Sequence, residues 1–165
     1  MGLVELIAQS DERGLAVSGL ACLDRCLPVL NAPDDTLRPL WSSLAEGAPW
    51  GPLVDSVRDE VRDSAQGADG EAAELTLRML AALPAERSGP GLRPWADACS
   101  AAALQIHRTL DPSGDGPLAA GELRRQIAVL ELLAQGDGLR RALDVSTEGR
   151  RILRAVVSRR ERGRG

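Results

Sequence analysis

Apolar residues recur every three to four positions along almost the whole chain, the spacing that lines one face of an α-helix. Between Leu15 and Leu27 the positions Val17, Leu20, Leu23 and Leu27 form one stripe, with Cys22 and Cys26 beside it. The stripe returns at Leu53, Val54, Val57 and Val61, then at Ala72, Leu75, Met79 and Leu83. It returns again at Ala96, Cys99, Ala103, Ile106 and Leu110, at Leu123, Ile127, Leu130 and Ala134, and at Ile152, Leu153, Val156 and Val157. Two short segments, one starting at Leu3 and one carrying Leu40, Trp41 and Leu44, repeat it in miniature. Leu and Ala supply 26 and 24 residues, whereas Val, Ile, Thr and Trp together supply 21, too few for a sheet.

Proline and glycine mark the connections: Leu27-Pro28, Ala48 to Pro52, residues 67–70, Arg87 to Gly91, Asp111 to Gly116, and Gly136 or Gly138. Ser10 is placed to cap the second helix and Thr36 the third, and Leu139 to Leu143 reads as a short turn of helix before the last one. The expectation is an all-α, compact bundle of about seven to eight helices. It forms a single helical domain over residues 1–158, with a basic, frayed tail at 159–165. At 165 residues and 44% apolar, the chain can fill one core. Leu27-Pro28 before Leu37-Arg38-Pro39-Leu40-Trp41 is echoed by Leu83-Pro84 before Leu92-Arg93-Pro94-Trp95. A duplicated helical hairpin would explain the echo, as would coincidence in a chain rich in Leu, Arg and Pro.

The chain has no Lys, Phe or Tyr, against 20 Arg, a bias typical of high-GC bacterial genomes. The absences exclude Schiff-base chemistry, covalent pyridoxal phosphate, a Walker-type lysine and a phenolic acid. The net charge of −4 is split, with nine Arg and only Asp144, Glu148 and Glu161 after residue 139. No positively charged leader opens the chain and no apolar run is long enough to span a bilayer. Three Cys do not make a disulfide framework, so a cytoplasmic setting is expected, with no membrane association.

Asp111-Pro112-Ser113-Gly114-Asp115-Gly116-Pro117, with Glu122 five residues on, places oxygen-bearing groups at positions 1, 3, 5, 7 and 12 and glycine at position 6. This loop, flanked by helices, resembles an EF-hand calcium loop. The resemblance implies Ca2+ held by Asp111, Ser113, Asp115, the Pro117 carbonyl and Glu122. The same residues also read as a Gly/Pro/Ser connector with Pro117 opening the next helix.

Cys22, Cys26, Cys99 and His107 are the ligand types zinc takes, but they lie in or beside apolar stripes and read better as core. Asp55, Asp59, Glu60 and Asp63 alternate with Arg58 and Arg62, which reads as a solvated helix face. Arg150, Arg151, Arg154, Arg159 and Arg160 make the last helix basic and amphipathic, a candidate surface for a partner.

These features point to a non-catalytic helical interaction or regulatory protein that binds a protein partner or a second copy, with calcium at 111–122. Two alternatives stand beside it. One is a nucleic-acid-associated regulator using the Arg-rich C-terminal helix; the other is a small helical enzyme or accessory protein of bacterial specialised metabolism.

Overall fold

The computed structural model describes residues 2–113, 116–136 and 138–164. Eight α-helices follow one another, with no strand among the described residues: α1 (Leu3–Gln9), α2 (Glu12–Cys26), α3 (Arg38–Glu46), α4 (Gly51–Ser64), α5 (Glu71–Ala81), α6 (Gly89–Leu110), α7 (Pro117–Ala134) and α8 (Leu139–Arg164). A single 3-10 turn, Leu27–Leu30, extends α2. The all-α bundle expected from the periodicity is the fold observed.

Helix α2 is the axis of the bundle. Its residues from Gly14 to Cys26 are all buried, so it meets protein on every side. Helices α6, α7 and α8 pack around it, with α5 and α3 completing the shell. Packing is tight at Gly19, where a Cβ would overlap the Trp95 ring of α6. The glycine lets the indole lie flat on α2 while its Nε1 donates to the Met79 carbonyl at 3.0 Å. The N-cap of α2 is Asp11, which accepts from the Gly14 amide at 2.8 Å. Ser10, the cap expected from the sequence, closes α1 instead and donates to the Leu6 carbonyl. Thr36 likewise donates to Pro33 inside the turn, and α3 starts two residues later.

Arginine closes several helix ends in this lysine-free chain. Arg93 donates to the Ile7, Ala8 and Ser10 carbonyls at the end of α1, and Arg58 to the Leu80, Ala81 and Leu83 carbonyls at the end of α5. The two Leu-Arg-Pro-bearing segments take different places. Arg38-Pro39 opens the nine-residue α3, whereas Arg93-Pro94 lies inside the 22-residue α6. Helix α8 runs without a break from Leu139 to Arg164, where the sequence predicts a separate short turn at Leu139 to Leu143 and a frayed tail at 159–165. No helix is long and apolar enough to cross a membrane among the described residues.

Helix α7 is the largest departure from the sequence pattern. Its periodicity turns Leu123 and Ile127 inward, yet Leu123 is 39% exposed. The buried positions are Gly121, Glu122, Gln126, Val129 and Leu130. The helix is therefore rotated by about one residue, roughly 100°, so that two polar side chains enter the core. What they meet there explains the rotation.

Candidate functional site

The bundle interior holds a network of charged and polar groups drawn from α2, α6 and α7. Arg25 is fully buried. Its Nε donates to both oxygens of Glu122 at 2.9 and 2.8 Å, and its Nη2 stands 2.8 Å from Glu122 Oε1. The pair is a buried, charge-assisted one, with both carboxylate oxygens accepting from Nε. Gln126, one turn after Glu122, donates to Glu122 and to the Ser100 carbonyl, and accepts from the Ser100 hydroxyl at 2.6 Å. His107 closes the group: its Nε2 lies 3.6 Å from Glu122 Oε2 and its Nδ1 is 2.7 Å from the Ala103 carbonyl. A carbonyl only accepts, so Nδ1 carries the hydrogen. Cys22 accepts from Arg25 Nη2 at 3.5 Å.

The electrostatics follow from burial and from the partner. Burial alone would push the Glu122 carboxyl up, but the Arg25 guanidinium outweighs it and holds Glu122 below its ordinary value of 4.5. The same pairing keeps Arg25 charged despite its burial. Burial pushes the His107 imidazole below its ordinary 6.5, against the pull of Glu122, so the ring is held neutral. Burial also pushes the Cys22 thiol up to about 12, and Cys26 and Cys99 rise with it. These thiols are poor nucleophiles.

A second buried pair ties α8 to α2. Arg150 Nη1 donates to both oxygens of Asp24 at 2.9 Å, and the Ser146 hydroxyl donates to Asp24 at 2.9 Å. At the rim, Arg154 donates through Nε and Nη2 to Asp34 and through Nη2 to the Ala32 carbonyl.

The loop residues are arranged as a helix entry. The Asp111 carboxylate accepts from the Ser113 amide and hydroxyl on one oxygen and from the Leu118 amide on the other. These hydrogen bonds hold it below the ordinary carboxylate range. Pro117 opens α7, as the connector reading expects. Asp115 lies outside the described residues. Asp111 and Ser113 are thus brought together, whereas Glu122 is turned into the core and committed to Arg25. To reach an ion in the loop, Glu122 would first have to give up that pair. Among the described residues, no group of three or more His, Cys, Asp or Glu is arranged to hold a metal.

Of the five candidate partner-binding arginines, Arg150 and Arg154 are spent inside the chain, and Arg151, Arg159 and Arg160 are exposed. Reading the stripes as uniformly apolar missed Arg25 and Gln126. The signal was present: Asp24-Arg25 interrupts an otherwise apolar run in the last turn of α2, and a charge pair there must find partners or break the helix packing. No protein-family model matches the chain, and neither a curated protein nor a solved structure does.

Proposed function

We propose that this chain is a non-catalytic helical interaction protein whose partner is an acidic protein surface held by the outward face of α8. The observation that carries this reading is the set of exposed guanidiniums on the second half of that helix. At about 100° per residue, Arg151 and Arg162 fall roughly 20° apart around α8, and Arg159 about 80° from Arg151. All three are exposed, and none has a carboxylate within salt-bridge distance among the described residues. Arg160 points to the other side, where it lines a cleft with the start of α5. Arg150 and Arg154 are engaged with Asp24 and Asp34 and serve as struts.

The charge distribution supports the same reading. Residues 1–116 hold nine Arg against eighteen acids, net −9, while residues 117–165 hold eleven Arg against six acids, net +5. Steering of an acidic partner toward the α7–α8 end follows from that separation. His107 and the three cysteines, the imidazole and thiols that could do acid–base or nucleophilic chemistry, are buried.

A fluorescein-labelled polyglutamate peptide and a 20-base-pair DNA duplex test the proposal by anisotropy at low and moderate salt. Peptide binding that weakens with salt and is lost in Arg151→Glu/Arg159→Glu/Arg162→Glu supports it. Tighter binding to the duplex than to the peptide would transfer the surface to nucleic acid, and no binding to either would remove it.

A further inference from the structure

Helices α7 and α8 are antiparallel neighbours, and between them lies a cleft of about 290 Å³ lined by Gly121, Arg124, Arg125, Ala128, Val145 and Glu148. Two guanidiniums converge on one spot in it. A Cβ placed on Gly121 would lie 3.1 Å from Arg125 Nη1 and 3.7 Å from Arg124 Nη2. A third arginine, Arg25, runs beside Arg125. A Cβ on Gly149 would stand 2.5 Å from Arg25 Cδ and 2.8 Å from Arg125 Cδ, so the Arg125 stem lies beside that of Arg25 on the backbone of α8. Arg25 donates through Nε to Glu122 and through Nη2 to Cys22. Its Nη1 is buried without a hydrogen-bond partner.

Neither Arg124 nor Arg125 forms a salt bridge or a side-chain hydrogen bond among the described residues. Glu122 neutralises Arg25, and Glu148 offsets one of the other two, so three guanidiniums face two carboxylates. The cleft is short of one negative charge. Burial pushes Arg125 below its ordinary value, and Arg25 and Arg124 push it the same way against Glu122 and Glu148. Paired guanidiniums present a fork of N–H donors that matches the oxygens of a phosphate or carboxylate. The other end of the cleft is apolar, formed by Ala128 and Val145.

We propose that this cleft binds a small organic oxyanion. Its charged head sits between Arg124 and Arg125, and its apolar body lies along Ala128 and Val145. A polar anchor beside an apolar wall is the usual construction of a small-molecule site. The proposal does not depend on the outward face of α8, because Arg124, Arg125, Ala128 and Val145 lie in the cleft.

Calorimetric titration of the full chain with inorganic phosphate, phenyl phosphate and benzoate tests it. Saturable binding of at least one organic anion is expected. It should weaken at least tenfold in Arg124→Gln and in Arg125→Gln, and stay unchanged in Arg62→Gln, an exposed arginine on α4. Arg124 is exposed, so its variant keeps the fold, which a circular-dichroism melt verifies. Ala128→Leu fills the apolar end and should weaken the organic anions at least threefold while leaving inorganic phosphate unchanged. Phenyl phosphate favoured over benzoate identifies the head group as a phosphate ester, and the reverse as a carboxylate; either supports the site. Absence of saturable binding, or an equal loss in Arg62→Gln, would overturn the proposal.

Discussion

Replacing Arg25 by methionine keeps most of the side-chain volume but removes the charge that holds Glu122. Glu122 would then sit at zero exposure with Gln126 as its remaining donor, 3.3 Å away. Breaking a buried ion pair by removing one partner costs roughly 3–5 kcal/mol, because the survivor is an uncompensated charge. Set against a total stability of roughly 5–15 kcal/mol, that is a large share. At this chain length about 1 kcal/mol moves the midpoint by roughly 2–4 °C, so Arg25→Met should melt roughly 6–20 °C below wild type. Glu122→Leu should lose a similar amount, since it strands a buried guanidinium. The double variant Arg25→Met/Glu122→Leu removes both charges and should recover at least ~2 kcal/mol relative to the sum of the single losses. Urea denaturation followed by circular dichroism gives all four corners of the cycle.

The pH dependence has a definite sign. Glu122 is held below 4.5 in the folded state, so its contribution is complete above 4.5 and is lost as pH falls through the folded value. His107 is held below 6.5, so its contribution is complete above 6.5 and is also lost on acidification. Wild type should therefore lose stability toward acid more steeply than the double variant. Single variants within ~1 kcal/mol of wild type, or strictly additive losses, would refute the account of the network given above.

Three further outcomes follow from the packing. Gly19→Ala should destabilise the fold although alanine is the better helix former by about 1 kcal/mol, because the new methyl meets the rigid Trp95 ring; Gly163→Ala, with open space around it, should be neutral or stabilising, and melts of both decide it. The three thiols should resist an aromatic disulfide reagent at pH 8 in the native state and react together once the chain is unfolded in urea; rapid native labelling of Cys22 would contradict its burial. Calorimetric titration with calcium should give the same result in wild type and Glu122→Gln, since Glu122 is held by Arg25; heat in wild type that is lost in the variant would show that the carboxylate leaves Arg25 for the ion.

The stripe Ala96, Cys99, Ala103, Ile106 and Leu110 was legible in the sequence and is buried as read, because α6 turns an apolar face to an apolar neighbour. Helix α7 was legible as a helix but not in its rotation. Apolar periodicity assumes that the greasiest face goes inward, and here the pull of Arg25 on Glu122 and of Ser100 on Gln126 turns a polar face in. Glu122 stood out from the sequence through its distance from Asp111, but its partner lies 97 residues away on α2. The arginines of α8 were legible as a basic set. Only the coordinates divide them into struts, such as Arg150 on Asp24, and exposed cations, such as Arg151.

Helix and turn follow from neighbours three and four residues apart, so the chain's own order of residues determined an all-α chain of about seven to eight helices, their approximate spans and a basic final helix. A charge buried in the core must be met by an opposite charge wherever the fold supplies one. That pairing spans 97 residues for Arg25 and 126 for Arg150, and only the tertiary structure could decide it.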